Sequence, residues 1–83
     1  PWTQFEAQAL HASEGGLLVG IREGLLVLDP GARTPRRLYE HAYHGVYGLM
    51  ESEHDPGLVY AATASELMLL RRPAGRWEIV ATI

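Results

Sequence analysis

Four short apolar runs constrain this chain more than anything else in it: Leu17–Ile21, Leu25–Leu28, Leu58–Ala62 and Leu67–Leu70. None of them alternates apolar with polar residues, as a strand with one wet face would. A continuous apolar run needs cover on both sides. Parallel sheets obtain that cover from helices, but here the runs are joined in pairs by gaps too short for a crossover. Glu23-Gly24 separates Leu17–Arg22 from Leu25–Asp29, and Ser65-Glu66 separates Leu58–Thr63 from Leu67–Arg71. Such gaps suit tight antiparallel turns. The pattern predicts antiparallel sheets pressed between further layers.

The two hairpins belong to a repeat. Shifted by 41 positions, Gly16–Arg22 falls on Gly57–Thr63, and with one more residue of slip Leu25–Leu28 falls on Leu67–Leu70. Returning to 41, Arg37–Glu40 falls on Glu78–Ala81, and at a spacing of 39 Ala9–Ser13 falls on Gly48–Ser52. The offset changes only where turn residues cluster, as expected when insertions sit in loops. Asp29-Pro30-Gly31 and Pro73-Ala74-Gly75 end the second hairpin strand of each unit, Pro fixing φ and Gly accepting positive φ. Ala7–Ser13 and Val46–Ser52 read as first strands, Arg36–Ala42 and Arg76–Ile83 as last strands. The result is an all-β chain of two four-stranded antiparallel units, residues 1–42 and 43–83, each of the length of a propeller blade.

A helical reading of the same residues gives a small α+β domain, helix–hairpin–helix–hairpin with a last strand. Thr3-Gln4-Phe5-Glu6 has capping-box spacing, and Gly15-Gly16 would stop a helix over Ala7–Leu10. Leu38, Ala42, Val46 and Leu49 or Met50 share one helical stripe. Gly45 and Gly48 oppose it, each costing about 1 kcal/mol inside a helix. Tyr39, Tyr43, Val46 and Tyr47 favour strand instead.

Val46–Leu49, Asp55-Pro56-Gly57-Leu58-Val59-Tyr60-Ala61-Ala62-Thr63, Glu66–Leu70 and Gly75-Arg76-Trp77-Glu78-Ile79-Val80 resemble a blade of the sialidase-type (BNR, or Asp-box) β-propellers. In that group a hairpin of pattern dP-x-x-lYagT-x-x-gl leads into an S-x-D-x-G-x-T-W turn and a fourth strand. The first unit is similar through Gly16–Leu28, and Asp29-Pro30-Gly31 keeps the Asp and Gly of the turn. The departures are that Pro73 stands in the place of the Asp, that the second turn is one residue short, and that Thr34 lies near the position of the lost aromatic. The resemblance implies a blade architecture. It also implies that catalysis of the sialidase kind, with an arginine cluster, a Tyr nucleophile and its Glu, and an Asp acid, would need residues from many blades. On that reading the chain is a non-catalytic repeat unit, or else a fragment of a glycan-active propeller enzyme whose catalytic residues lie outside it.

Two blades cannot make a ring, since propellers close with about four to eight. If each outer face hides roughly 500 Å² of apolar surface, leaving one wet forfeits about 12 kcal/mol at 25 cal/mol per Å². That equals or exceeds the whole net stability of many domains. A chain of 83 residues with no Cys has neither a large core nor disulfides to offset the loss. The expected partners are therefore copies of itself, three or four making six or eight blades, or further blades of a longer propeller. Pro1 without an initiator Met fits a processed chain or a piece of a longer one. A net charge of −3 argues against nucleic acid or an anionic membrane as partner, and no run nears the ~20 apolar residues of a membrane span.

In a blade pair, the turns between second and third strands share one face of the disc with the link between blades. That places Phe5, Arg22, Glu23, His44 and Ser65 around the channel mouth, a rim with a ring, a cation, an anion, an imidazole and a hydroxyl that could take a glycan or protein ligand. Other chemistry reads as structural. His41 and His44 find no third metal ligand and read as a solvated pair at a strand end. Glu51–Asp55 lacks the Gly-spaced pattern of a calcium loop. Ser13, Ser52 and Ser65 have no nucleophile-elbow context, and Gly15-Gly16 and Gly45-x-x-Gly48 open no phosphate loop. No cofactor, metal or catalytic residue is assigned. Arg36-Arg37 and Arg71-Arg72 read as edge charges that blunt aggregation, with anion binding the alternative. Trp2 and Trp77 read as plugs between blades, with sugar platforms the alternative.

Overall fold

The computed structural model describes residues 7–41 and 44–83. Every regular element among them is a strand: β1 (Ala7–Ser13), β2 (Gly16–Ile21), β3 (Gly24–Leu28), β4 (Arg36–Glu40), β5 (Gly48–Glu51), β6 (Val59–Ala62), β7 (Leu67–Arg71) and β8 (Glu78–Thr82). They form two four-stranded sheets, β1-β2-β3-β4 and β5-β6-β7-β8, each a meander with every neighbouring pair antiparallel. Ala7–Ser13 and Gly48–Glu51, which the helical reading used in part, are strands. The second unit's first strand is shorter than the sequence predicts. Val46 stops short of it and donates its N–H to the Ile21 carbonyl at the end of β2, 3.1 Å away.

Side-chain hydroxyls organise several turns. Ser13 Oγ accepts from the Gly15 N–H, and Ser52 Oγ accepts from the N–H groups of His54 and Asp55. At the β6–β7 turn Thr63 Oγ1 takes the N–H groups of Ser65 and Glu66. Each hydroxyl offers the backbone an acceptor where the ladder has ended. The link between sheets crosses the end of β2 so closely that a Cβ on Gly45 would lie 2.5 Å from the Ile21 carbonyl oxygen and 2.7 Å from the Arg22 Cα. Only glycine fits there.

One core joins the sheets. Leu18, Leu25 and Val27 of the first sheet, Val46 of the link, and Val59, Ala61, Met68, Leu70 and Trp77 of the second form a single buried cluster. Val19, Ile21 and Leu26, on the other face of the first sheet, are buried in a separate cluster. The central strands of the first sheet are thus apolar front and back with both faces buried, whereas in the second sheet only the face turned to the first is buried and Tyr60, Ala62, Leu67 and Leu69 on the other are partly exposed. The closest approach between sheets runs along β1 and β5, where His11 Nε2 lies 3.4 Å from a Glu51 carboxylate oxygen.

The pairing registers fix the phase of the repeat. Leu18 lies opposite Val27 and Gly20 opposite Leu25, while Tyr60 lies opposite Leu69 and Ala62 opposite Leu67. These pairs superpose with one offset, 42 residues, through both hairpin strands. The sequence alignment at 41 places β2 on β6 one residue out of phase. With 42, the first-sheet residues that meet the second sheet, Leu18, Gly20, Leu25 and Val27, correspond to Tyr60, Ala62, Leu67 and Leu69. The first strands keep the offset of 39, so His11 corresponds to Met50, which pairs with Tyr60. All the second-sheet members of this set lie on the face turned away from the first sheet. The sheets therefore stack front to back.

An ion pair ties the two sheets at one end. Arg36 donates Nε to Asp29 Oδ2 at 2.8 Å and Nη2 to Oδ1 at 3.0 Å, and Nη2 also reaches the Trp77 carbonyl at 3.2 Å. The bond from Arg36, with Arg76 beside it, holds the Asp29 carboxyl below its ordinary range. Because the folded pKa is the lower one, the pair stabilises the fold above the unfolded value of about 3.9 and the contribution is lost as pH falls through the folded value. Asp29→Asn is expected to lower stability by about 1–2 kcal/mol at pH 7, the worth of a charge-assisted pair with some solvent exposure. The difference from wild type should shrink as pH falls below the ordinary carboxylate value of about 3.9, measured by urea titration across pH. A constant difference at all pH values would show that the carboxylate charge contributes nothing.

Candidate functional site

At the end of the molecule opposite the Asp29–Arg36 pair, the β2–β3 turn, the end of β4, the link and the β6–β7 turn converge. The link is held by two backbone bonds, His41 N–H to the Glu23 carbonyl at 2.9 Å and Val46 N–H to the Ile21 carbonyl. Past Glu40 the chain has left the strand, so His41 and His44 are free of the alternation that would set them on opposite faces. Their imidazoles stack at 4.3 Å between centroids with 4° between planes. Tyr39 continues the row, its ring 6.4 Å from that of His41 at 19°.

Polar groups of the β6–β7 turn close the row at both ends. Ser65 Oγ lies 3.1 Å from His44 Nδ1, and the Tyr39 hydroxyl donates to Glu66 Oε1 at 3.5 Å. Burial first, and then the neighbouring Glu66 carboxylate, raise the Tyr39 phenol above its ordinary value. Tyr39 therefore stays a hydrogen-bond donor throughout the physiological range. The arrangement offers a short aromatic shelf edged by a hydroxyl, a phenol and a carboxylate, suited to hydrogen bonding and stacking. Among the described residues no group of three or more His, Asp or Glu is placed to hold a metal ion.

The five residues expected at this rim are distributed unevenly. His44 and Ser65 are in contact. Arg22 and Glu23 are exposed on the adjoining turn, and Glu23 joins the link through its backbone carbonyl. Phe5 lies outside the described residues. Tyr39, His41 and Glu66, which the sequence reading did not place in the rim, make up the rest of the shelf. The signal for Glu66 was Thr63, whose side chain folds the turn back. For Tyr39 there was none, because a bulge between Leu25 and Leu26 shifts the β3–β4 register.

No family model, curated protein or solved structure matches the chain.

Proposed function

We propose that this chain is a non-catalytic unit of two β-propeller blades, that further blades of the same kind complete its ring, and that the ring serves as a scaffold or binding module for a protein or glycan ligand held at the shelf end. The observation that carries this reading is the front-to-back stacking. The second sheet's outer face, with Met50, Tyr60, Ala62, Leu67 and Leu69, repeats the first-sheet face that already receives a neighbour. A contact of that kind is heterologous and makes a ring where its rotation closes; the face that receives it on the next copy is that of Val19, Ile21 and Leu26, whose cover within the single chain has to move aside. The contact between β1 and β5 agrees, since the sheets meet at their first strands, the strands nearest the axis in a propeller.

The chain's only aspartates support a non-catalytic role. Asp29 and Asp55 are both bound by arginines, and both carboxyls sit below their ordinary range because of those bonds. A carboxyl held ionised is a poor proton donor.

Light scattering after size exclusion tests the assembly. At micromolar concentration we expect three or four times the 9.2 kDa chain mass, or, where blades of a longer chain are missing, a species that binds a hydrophobic dye through its open face. A dye-silent monomer would overturn the reading.

A further inference from the structure

At the end away from the aromatic shelf, the β5–β6 and β7–β8 turns of the second sheet enclose an open cavity of about 400 Å³ lined by Pro56, Gly57, Arg71, Arg72, Pro73 and Gly75. Among the described residues two cations line it and no carboxylate does. Arg71 is occupied, since both its terminal nitrogens bond the Asp55 carboxylate. Arg72 is not: among the described residues no carboxylate pairs with it.

Nor does Arg72 extend into solvent as an edge charge would. Its guanidinium lies 5.0 Å from the centroid of the Trp77 ring, and its stem crosses Gly15, where a Cβ would come within 2.2 Å of Arg72 Cδ. This cation–π contact, with the packing of Cδ, Nη1 and Nε over Gly15, restricts where the guanidinium can sit. A cation whose rotamers are already frozen binds without the ordering cost a free side chain would incur. The walls are roomy, because nothing lies within 4 Å of a Cβ position on Gly57 or Gly75.

From this geometry we infer that the cavity binds a carboxylate carried on a peptide, an Asp or Glu side chain of an acidic segment, with Arg72 as the anchoring cation and Arg71 beside it. The planar fork of arginine matches a carboxylate in two parallel bonds. Proline rings and glycine backbone suit an extended peptide. A sugar acid is disfavoured because the aromatic at this end, Trp77, is 1% exposed and offers no face for a sugar to stack on. The site is built within the second sheet, with Gly15 of the first behind Arg72, and does not require ring closure.

Two-dimensional amide NMR of the full chain tests it with three probes: the blocked glutamate N-acetyl-glutamyl amide, its glutamine counterpart, and glucuronate. The glutamate probe should shift the amides of Gly57, Arg71, Arg72 and Gly75 saturably in the millimolar range, weakening as salt rises, and the glutamine probe should bind at least 10-fold more weakly. Arg72→Gln should abolish the response, while Arg22→Gln, at the opposite end, should leave it unchanged. Equal binding of the two amino-acid probes, or no localised shifts on the wild-type chain, overturns the site whether or not the Arg72 variant folds. A response to glucuronate alone overturns the peptide assignment.

Discussion

Replacing Trp77 by alanine is expected to remove most of the stability of this chain. Trp77 is 1% exposed and the largest fully buried side chain among the described residues, and it belongs to the core shared by both sheets. The His11 ring meets it edge-on at 6.3 Å, Arg72 covers its face, and Arg36 holds its carbonyl. Truncating a buried Trp costs about 3–5 kcal/mol through lost transfer energy and the cavity left behind. A small domain has only about 5–15 kcal/mol in all. The melting temperature should fall by roughly 15–30 °C, at 4–8 °C per kcal/mol for a domain of this size.

Trp77→Phe should be far milder. The indole N–H has no hydrogen-bond partner among the described residues, and an unsatisfied buried donor costs about 1–3 kcal/mol. Phenylalanine gives up ring volume but removes that orphan, so a loss below about 2 kcal/mol is expected. Circular dichroism melts of both variants check the pair. If Trp77→Ala melts within a few degrees of wild type, Trp77 is not the hinge of the shared core.

The non-alternating runs carried the strand assignments, because covered strands have to be apolar on both faces. The same property hid the phase of the repeat. Leu17–Ile21 and Leu58–Ala62 are apolar at nearly every position, so slipping one on the other by a residue leaves the hydropathy match intact while reversing every side chain. Only the cross-strand pairs, Leu18 with Val27 and Tyr60 with Leu69, separate an offset of 41 from 42. The shelf was half legible for a related reason. The layout of a blade pair placed His44 and Ser65 at one end of the molecule, but Tyr39 depends on a bulge and His41 on where β4 stops, neither of which has a composition of its own. Arg36 and Arg71 read as edge charges because their partners, Asp29 and Asp55, lie 7 and 16 residues away, across turns whose depth a linear pattern does not give.

If the proposed ring forms, Leu69→Glu should dissolve it while sparing the fold of the single chain. Leu69 pairs with Tyr60 at the middle of the outward face of the second sheet, flanked by Met50 at 66% exposure, Val80 at 48% and Ile83 at 78%. Within one chain this face has no partner sheet among the described residues, so a carboxylate there stays hydrated and the melting temperature of the isolated chain should shift by only a few degrees. Against a neighbouring blade the same carboxylate would be desolvated without a partner, which costs several kcal/mol. The association constant should fall by at least about 100-fold, equivalent to some 3 kcal/mol, and hydrophobic-dye binding by the face should be lost. Ala61→Glu supplies the contrast, because Ala61 is 0% exposed and turned towards the first sheet, and there the chain itself should fail to fold. An unchanged mass for Leu69→Glu beside an unfolded Ala61→Glu would mean that the outward face is finished as it stands, and that two sheets, not a ring, are the complete structure.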